Sequence, residues 1–263
     1  MSDNKDPQSR PILFVDGFNI FVRHFMVNEA MNSEGEFIGG ILGFLKALAY
    51  TVDLIKPYAV FVVWEEGGAC PRRKRLFSGY KENRHKQKSF DDLYREDGKI
   101  NMGAEANKAN KQWQLSCLIE ILKNYPVCQV FVPATECDDV LSYLVKDRFA
   151  TWQGDRVIYS NDKDFYQLLG NPKIKISDPG KKEKGLIDGA YVLENYKISA
   201  ANFLLARSIV GDPSDNIPGI PGIQLTTVAN RFPELQEAQE SRTIDWLMEN
   251  TREKSKSRKK ALQ

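Results

Sequence analysis

Four short apolar runs, each followed within a few residues by a carboxylate, constrain this chain more than any other feature. Residues 11–17 (PILFVDG) close on Asp16, and residues 58–64 (YAVFVVW) run into Glu65 and Glu66. Residues 128–132 (CQVFV) precede Glu136, and residues 156–160 (RVIYS) precede Asp162 and Asp164. Residues 173–177 read as a fifth run. Apolar runs of this length, bounded by turn residues, predict buried strands. Between them, Ile41, Leu42, Leu45, Leu48, Val52 and Ile55 recur at helical spacing, as do Val140, Leu141, Leu144 and Val145. Helices are expected over residues 39–55, 113–125, 136–152 and from Tyr191 onward. Strands alternating with helices predict an α/β fold with a mainly parallel central sheet covered on both faces.

In open sheets of this kind, ligands bind beyond the carboxyl ends of the strands. That is the edge at which Asp16, Glu65/Glu66, Glu136 with Asp138 and Asp139, and Asp162 with Asp164 fall. Asp212 and Asp215 follow a further helical stretch. Any one of these acids reads equally well as a turn former or helix N-cap. All of them converging without cations would repel one another. Hard oxygen donors suit Mg²⁺, with Mn²⁺ as a substitute, and the two histidines and four unpaired-looking cysteines argue against zinc.

Net charge is only +2, but it is unevenly distributed. Arg72, Arg73, Lys74, Arg75, Lys81, Arg84, Lys86 and Lys88 crowd a stretch whose one acid is Glu82, and Arg252 to Lys260 repeat the pattern. Such runs are solvated faces or footprints for a polyanion. Residues 71–111 are polar and basic with no continuous apolar face, which reads as a functional element or a surface loop. The first ten residues are polar and the most apolar stretch is broken by Lys46 and Asp53, so neither a signal peptide nor a membrane span is expected. Reduced thiols fit a cytoplasmic setting.

The segments VDGFN (15–19), YKENR (80–84), ECDD (136–139), SNDKD (160–164) and GDPSDNIPG (211–219) stand in the order of the motifs of the flap endonuclease/5′–3′ exonuclease family. The chain resembles that family from about residue 11 to 231, the phage and bacterial polymerase-associated members most of all. The resemblance implies a PIN-like core over residues 1–190, with a helical arch or clamp at about 71–111. It implies a helix–turn–helix duplex-binding region over 191–250 and a flexible basic tail over 251–263. It also implies a first metal site of Asp16, Glu136 and Asp138 with an acid ending the second strand, and further metal-linked acids Asp139, Asp162, Asp164, Asp212 and Asp215. In the family's chemistry one ion activates water and the other stabilises the leaving oxygen. Asp16, Asp138 and Asp162, with Lys81 and Arg84 at the scissile phosphate, would be the catalytic set. Arg23, Tyr80 (stacking on a base), Lys81, Arg84, Gly219 and Gly222 would contact DNA. K⁺ at the helix–turn–helix is a further implied cofactor. Implied partners are branched or nicked DNA, RNA–DNA hybrid and replication proteins, with the chain a monomer in a bacterial or phage-infected cell.

The family closes its second strand with Asp, where this chain has Glu65 and Glu66. Glu65 follows the strand directly, while counting back from Tyr80 favours Glu66 equally. Gln224, Leu225, Thr226 and Thr227 stand where the family has Gly and Lys-Thr, which removes a phosphate contact. Two other functions are weighed. A branched-DNA binder with the same fold would not need the near-complete acids. A phosphatase with Asp16 as nucleophile would need a second Asp where Phe18 stands.

Overall fold

The structure is a computed structural model that describes residues 6–65, 71–82, 104–181, 185–237 and 241–260. Strand β1 (Ile12–Asp16) is central and pairs in parallel with β2 (Ala59–Trp64) on one side and β4 (Arg156–Tyr159) on the other. Strand β3 (Cys128–Phe131) extends the sheet beyond β2, and β5 (Ile174–Ser177) extends it beyond β4. The order is therefore β3-β2-β1-β4-β5. The chain builds outward through β2 and β3, then returns to the other flank of β1. That reversal is a topological switch point between the carboxyl ends of β1 and β4, where open sheets of this kind bind ligands.

All five residues of β1 are buried, which is why its sequence runs apolar without alternation. Helices α1 (Gly17–Val27), α2 (Gly39–Ile55) and α4 (Ala104–Leu122) belong to this part of the chain, with the short α3 (Pro71–Leu76) between the last two. On one face of the sheet Leu13, Val15, Val60, Val62 and Trp64 pack with Ile20, Phe21, Phe44, Leu48, Leu118 and Leu122. On the other, Phe14 stacks on Phe61 at 5.3 Å and Phe149 leans against both rings. Each such fully buried side chain contributes roughly 1.5–3 kcal/mol of transfer free energy. Gly17 is required where α1 meets β2, because a Cβ there would lie 2.6 Å from the Trp64 ring and 2.7 Å from the Val63 carbonyl.

The chain divides into two compact units. The first holds residues 1–162, 173–186 and 214–216; the second holds 163–172, 187–213 and 217–263. Within the second, α6 (Gly189–Tyr196), α7 (Ala200–Val210), α8 (Leu225–Arg231) and α9 (Ile244–Lys260) accompany a 3-10 stretch, Lys163–Gly170. Tyr166, Tyr191, Tyr196 and Phe203 form its aromatic centre. The buried Asn202 amide donates to Ser199 Oγ and the Leu235 carbonyl, fastening α7 to the segment after α8. Gly211 has φ +77°, and a Cβ on Gly219 would fall 1.9 Å from the Val210 carbonyl, so the Gly/Pro turn leaves no room for side chains there.

The parallel α/β sheet is as the sequence predicts; element lengths are not. Helix α4 starts at Ala104, well before the expected 113, because its first turns are rich in helix formers yet present no apolar stripe. The helix expected over 136–152 is shorter: α5 (Cys137–Tyr143) runs into a π-helical turn, Leu144–Arg148. Backbone helix continues to Lys260 where a flexible basic tail is expected.

Candidate active site

Asp16 ends β1 and caps α1, its Oδ1 accepting the Asn19 backbone N–H at 3.2 Å. Its Oδ2 accepts the Ser160 hydroxyl, just past β4, at 3.1 Å. The N-cap reading of Asp16 thus holds, while its second oxygen turns to the end of β4. Burial pushes its carboxyl up to about 7; the bonds from Asn19 and Ser160 oppose that shift, and the nearby Glu65 charge adds to it. Glu65, directly after β2, accepts the Cys137 backbone N–H at 3.2 Å and so reaches the start of α5. Glu66 lies outside the described residues. Ser160 Oγ also accepts the Asp162 N–H at 3.2 Å, which fixes the turn carrying that acid.

A second set of contacts gathers the acids of α5. Glu136, at the N-cap, is only 4% exposed. Its Oε2 accepts the Tyr80 hydroxyl at 2.9 Å and the Lys81 ammonium at 2.7 Å. The guanidinium of Arg73, from α3, donates to Glu136 as well, to Asp138 Oδ2 at 3.4 Å and to Asp139 Oδ1 at 2.9 Å. Burial pushes Asp138 up to about 6, against the pull of Arg73 and with repulsion from Asp139 and Glu136. The Tyr80 hydroxyl also lies 3.0 Å from Asp215 Oδ2, so its one proton is shared between the two carboxylates, and the Lys81 N–H donates to the Asp215 carbonyl at 2.9 Å. Lys81 takes a left-handed φ of +57°, a strained backbone for a residue with a Cβ.

The donor set in this first unit is carboxylate oxygen, suited to a hard divalent ion. Among the described residues, no three acids, histidines or cysteines surround one ion-sized point. Two cationic side chains lie among the acids instead. The carboxylates present thus fit such an ion in the kind of donor they offer.

Other expected site residues fall elsewhere. In the second unit, Arg207 Nη2 donates to both Asp164 (3.1 Å) and Asp212 (2.7 Å). Arg23 lines a cavity of about 550 Å³ with His24, Lys46, Tyr159, Asp178 and Lys181, and none of the expected metal-linked acids lines it. Gly219 packs against the Val210 carbonyl, and Gly222 takes φ +75° in open space. Tyr80, expected to stack on a base, is 4% exposed here, with Arg73 and Lys81 over its ring at 5.7 and 5.0 Å. Arg84 and most of the expected arch, residues 83–103, lie outside the described residues.

A family model for the N-terminal resolvase-like domain of 5′-3′ exonucleases matches residues 11–197. The chain belongs to the 5′-3′ exonuclease family. This family member is 27% identical over 237 residues to the 5′-3′ exonuclease of Buchnera aphidicola, covering 87% of this chain and 73% of that protein. It is 31% identical over 220 residues to the thermostable DNA polymerase I of Thermus aquaticus, covering 83% of this chain but only 23% of that longer protein. Among solved structures, the bacteriophage T5 D15 protein co-crystallised with metal ions superposes with a TM-score of 0.68 at 19% identity, over 87% of this chain and 76% of that one. The D15 flap endonuclease in complex with DNA and metal ions gives 0.66 at 20%. These likenesses establish the PIN-like α/β fold expected from the sequence.

Arg73, Ser160, Cys137 and Arg207 complete the family member's polar clusters, and the sequence reading assigned none of them a role. Arg73 sat in a run of four basic residues with no spacing to single it out. Ser160 carried a usable signal, since a small hydroxyl ending β4 beside the switch point is placed to bond the acid ending β1.

Proposed function

We propose that the carboxylates at the carboxyl ends of β1, β2 and β3 hydrolyse phosphodiester bonds with two divalent metal ions, Mg²⁺ in the cell. The chain is a structure-specific 5′-nuclease by family; the assignment of work to residues is the proposal. The observation that carries it is the gathering of Asp16, Glu65, Glu136, Asp138 and Lys81 in one compact unit at the switch point of the sheet.

When bound, the ions would activate water and offset charge on the leaving oxygen. Asp16, Glu65, Glu136 and Asp138 would hold the first ion, with Asp139, Asp162, Asp164, Asp212 and Asp215 as further metal-linked acids. Ser160 and Asn19 fix the Asp16 oxygens, and Tyr80 and Lys81 fix Glu136, so the donors are oriented before substrate arrives. Lys81, with Arg84 assigned by resemblance alone, would face the scissile phosphate and stabilise charge as it develops. Arg23 would contact a strand backbone. The turn around Gly219 and Gly222 would grip duplex phosphates, with K⁺ as a candidate ion there.

The substrates proposed are 5′ flaps, nicks and RNA primers on DNA, met in the cytoplasm during replication and repair. Among the described residues no helix is long and apolar enough to cross a membrane. A panel of end-labelled flap, nick, gap and primer junctions, with Mg²⁺ and with EDTA, tests the reading. Metal-dependent release of 5′ products is expected. Tight binding of the same junctions without cleavage would make the chain a branched-DNA binder instead.

A further inference from the structure

Arg73 makes more contacts to the acids of α5 than any other side chain described. Its Nη1 donates to Glu136 and Asp138, its Nη2 to Asp139, and Nη1 also reaches the Tyr80 hydroxyl at 3.1 Å. Its neighbours on α3 behave differently. Arg72, Lys74 and Arg75 are exposed, whereas Arg73 is turned inward with its side chain 30% exposed. One guanidinium therefore bridges three carboxylates and offsets part of the repulsion among them.

The oxygens that Arg73 occupies are ones a metal ion would need. Lys81 neutralises Glu136 from a second direction and leaves Asp138 and Asp139 untouched. We propose that Arg73 is an internal counter-ion that holds the Glu136, Asp138 and Asp139 carboxylates together in the metal-free protein, and that it must leave Glu136 and Asp138 before those oxygens take a divalent ion. The role goes beyond the nuclease reading but rests on its assignment of these acids as metal ligands. It makes Arg73 a positioning residue that sets metal affinity from α3, at the start of the stretch expected to form the arch.

The consequence is antagonism between two properties. Removing the guanidinium costs the metal-free protein stability, because Asp138 and Asp139 lose the cation they share with Glu136. It also removes a competitor, so metal binds more tightly. Charge-assisted hydrogen bonds of this kind are strong enough that the gain in affinity should be about tenfold or more.

The test uses the full chain without DNA. Mn²⁺ affinity is measured by titration calorimetry or paramagnetic resonance for the wild type, Arg73→Gln, Arg73→Lys, Arg75→Gln and Asp138→Asn, alongside melting curves in EDTA. Arg73→Gln should bind Mn²⁺ about tenfold tighter and melt lower in EDTA, with Arg73→Lys between it and the wild type and Arg75→Gln unchanged. If Arg73→Gln is already unfolded in EDTA, its melting temperature must rise more on adding Mn²⁺ than the wild type's does. Unchanged or weaker Mn²⁺ affinity in Arg73→Gln, with Asp138→Asn still abolishing binding, overturns the counter-ion role and leaves the metal site standing. No Mn²⁺ binding by the wild type at millimolar concentration overturns the metal reading itself.

Discussion

Ser160 Oγ and Asp16 Oδ2 lie 3.1 Å apart although 144 residues separate them in the chain. The bond joins the ends of β1 and β4 across the switch point of the sheet. Ser160 is wholly buried and also accepts the Asp162 N–H, so one hydroxyl positions two acids assigned to metal. Ser160→Ala removes both bonds. A loss of about 1–3 kcal/mol in urea unfolding with EDTA is expected, because a buried acceptor and donor are left unmade. Single-turnover cleavage should slow with little change in flap affinity. Unaltered cleavage would mean that Asp16 does not depend on this contact.

Tyr80 offers a sharper contrast, since its two readings predict opposite results. Tyr80→Phe keeps the ring and deletes the hydroxyl that bridges Glu136 and Asp215. A ring that stacks on a base would tolerate the change. A ring that positions carboxylates would not, and roughly 1–3 kcal/mol of stability plus a fall in kcat are expected. Chemical denaturation and single-turnover rates of the variant decide between them.

Lys81→Ala isolates the cation from the backbone. Both residues carry a Cβ, so the strain of the left-handed φ, on the order of 1–3 kcal/mol, is common to the two proteins. Cleavage should drop about 10²–10³-fold, as for other donors aimed at developing charge, while duplex affinity changes little. Equal losses in rate and affinity would place Lys81 in binding alone.

The pH dependence of stability should carry the signature of His24. Burial lowers the pKa of this imidazole, and the Arg23 charge lowers it further. Its Nε2 is buried without a hydrogen-bond partner. A group whose folded pKa is depressed stabilises the fold above its unfolded value, near 6.5, and loses that contribution as pH falls toward the folded value. Relative to His24→Gln, the wild type should therefore lose melting temperature in EDTA as pH drops below about 6.5, the raised Asp16 and Asp138 carboxyls acting the opposite way but equally in both proteins. Parallel pH profiles for the two proteins would remove His24 from the account.

Much of this was legible in the sequence, for physical reasons that differ residue by residue. A strand buried on both faces must be apolar throughout, so β1 and β2 announced themselves, and the acids closing them marked the functional edge. Helix α4 was half hidden because its first turns bury little, and apolar periodicity is the only strong helix signal a single sequence gives. The burial of Tyr80 was not legible, because a motif position says which residue is present, not which way it faces. Arg73 was invisible as an individual, since four adjacent basic residues look alike until the three-dimensional arrangement turns one of them inward.

The central claim is that the acids gathered around α5 and β1 carry out the chemistry. Single-turnover cleavage of a 5′-end-labelled flap in Mg²⁺, by the wild type and by Asp138→Asn with flap affinity measured in parallel, tests it most directly. The account predicts a rate lower by 10² or more, on the order expected for a lost transition-state contact, at nearly unchanged affinity. Wild-type cleavage by Asp138→Asn would contradict it.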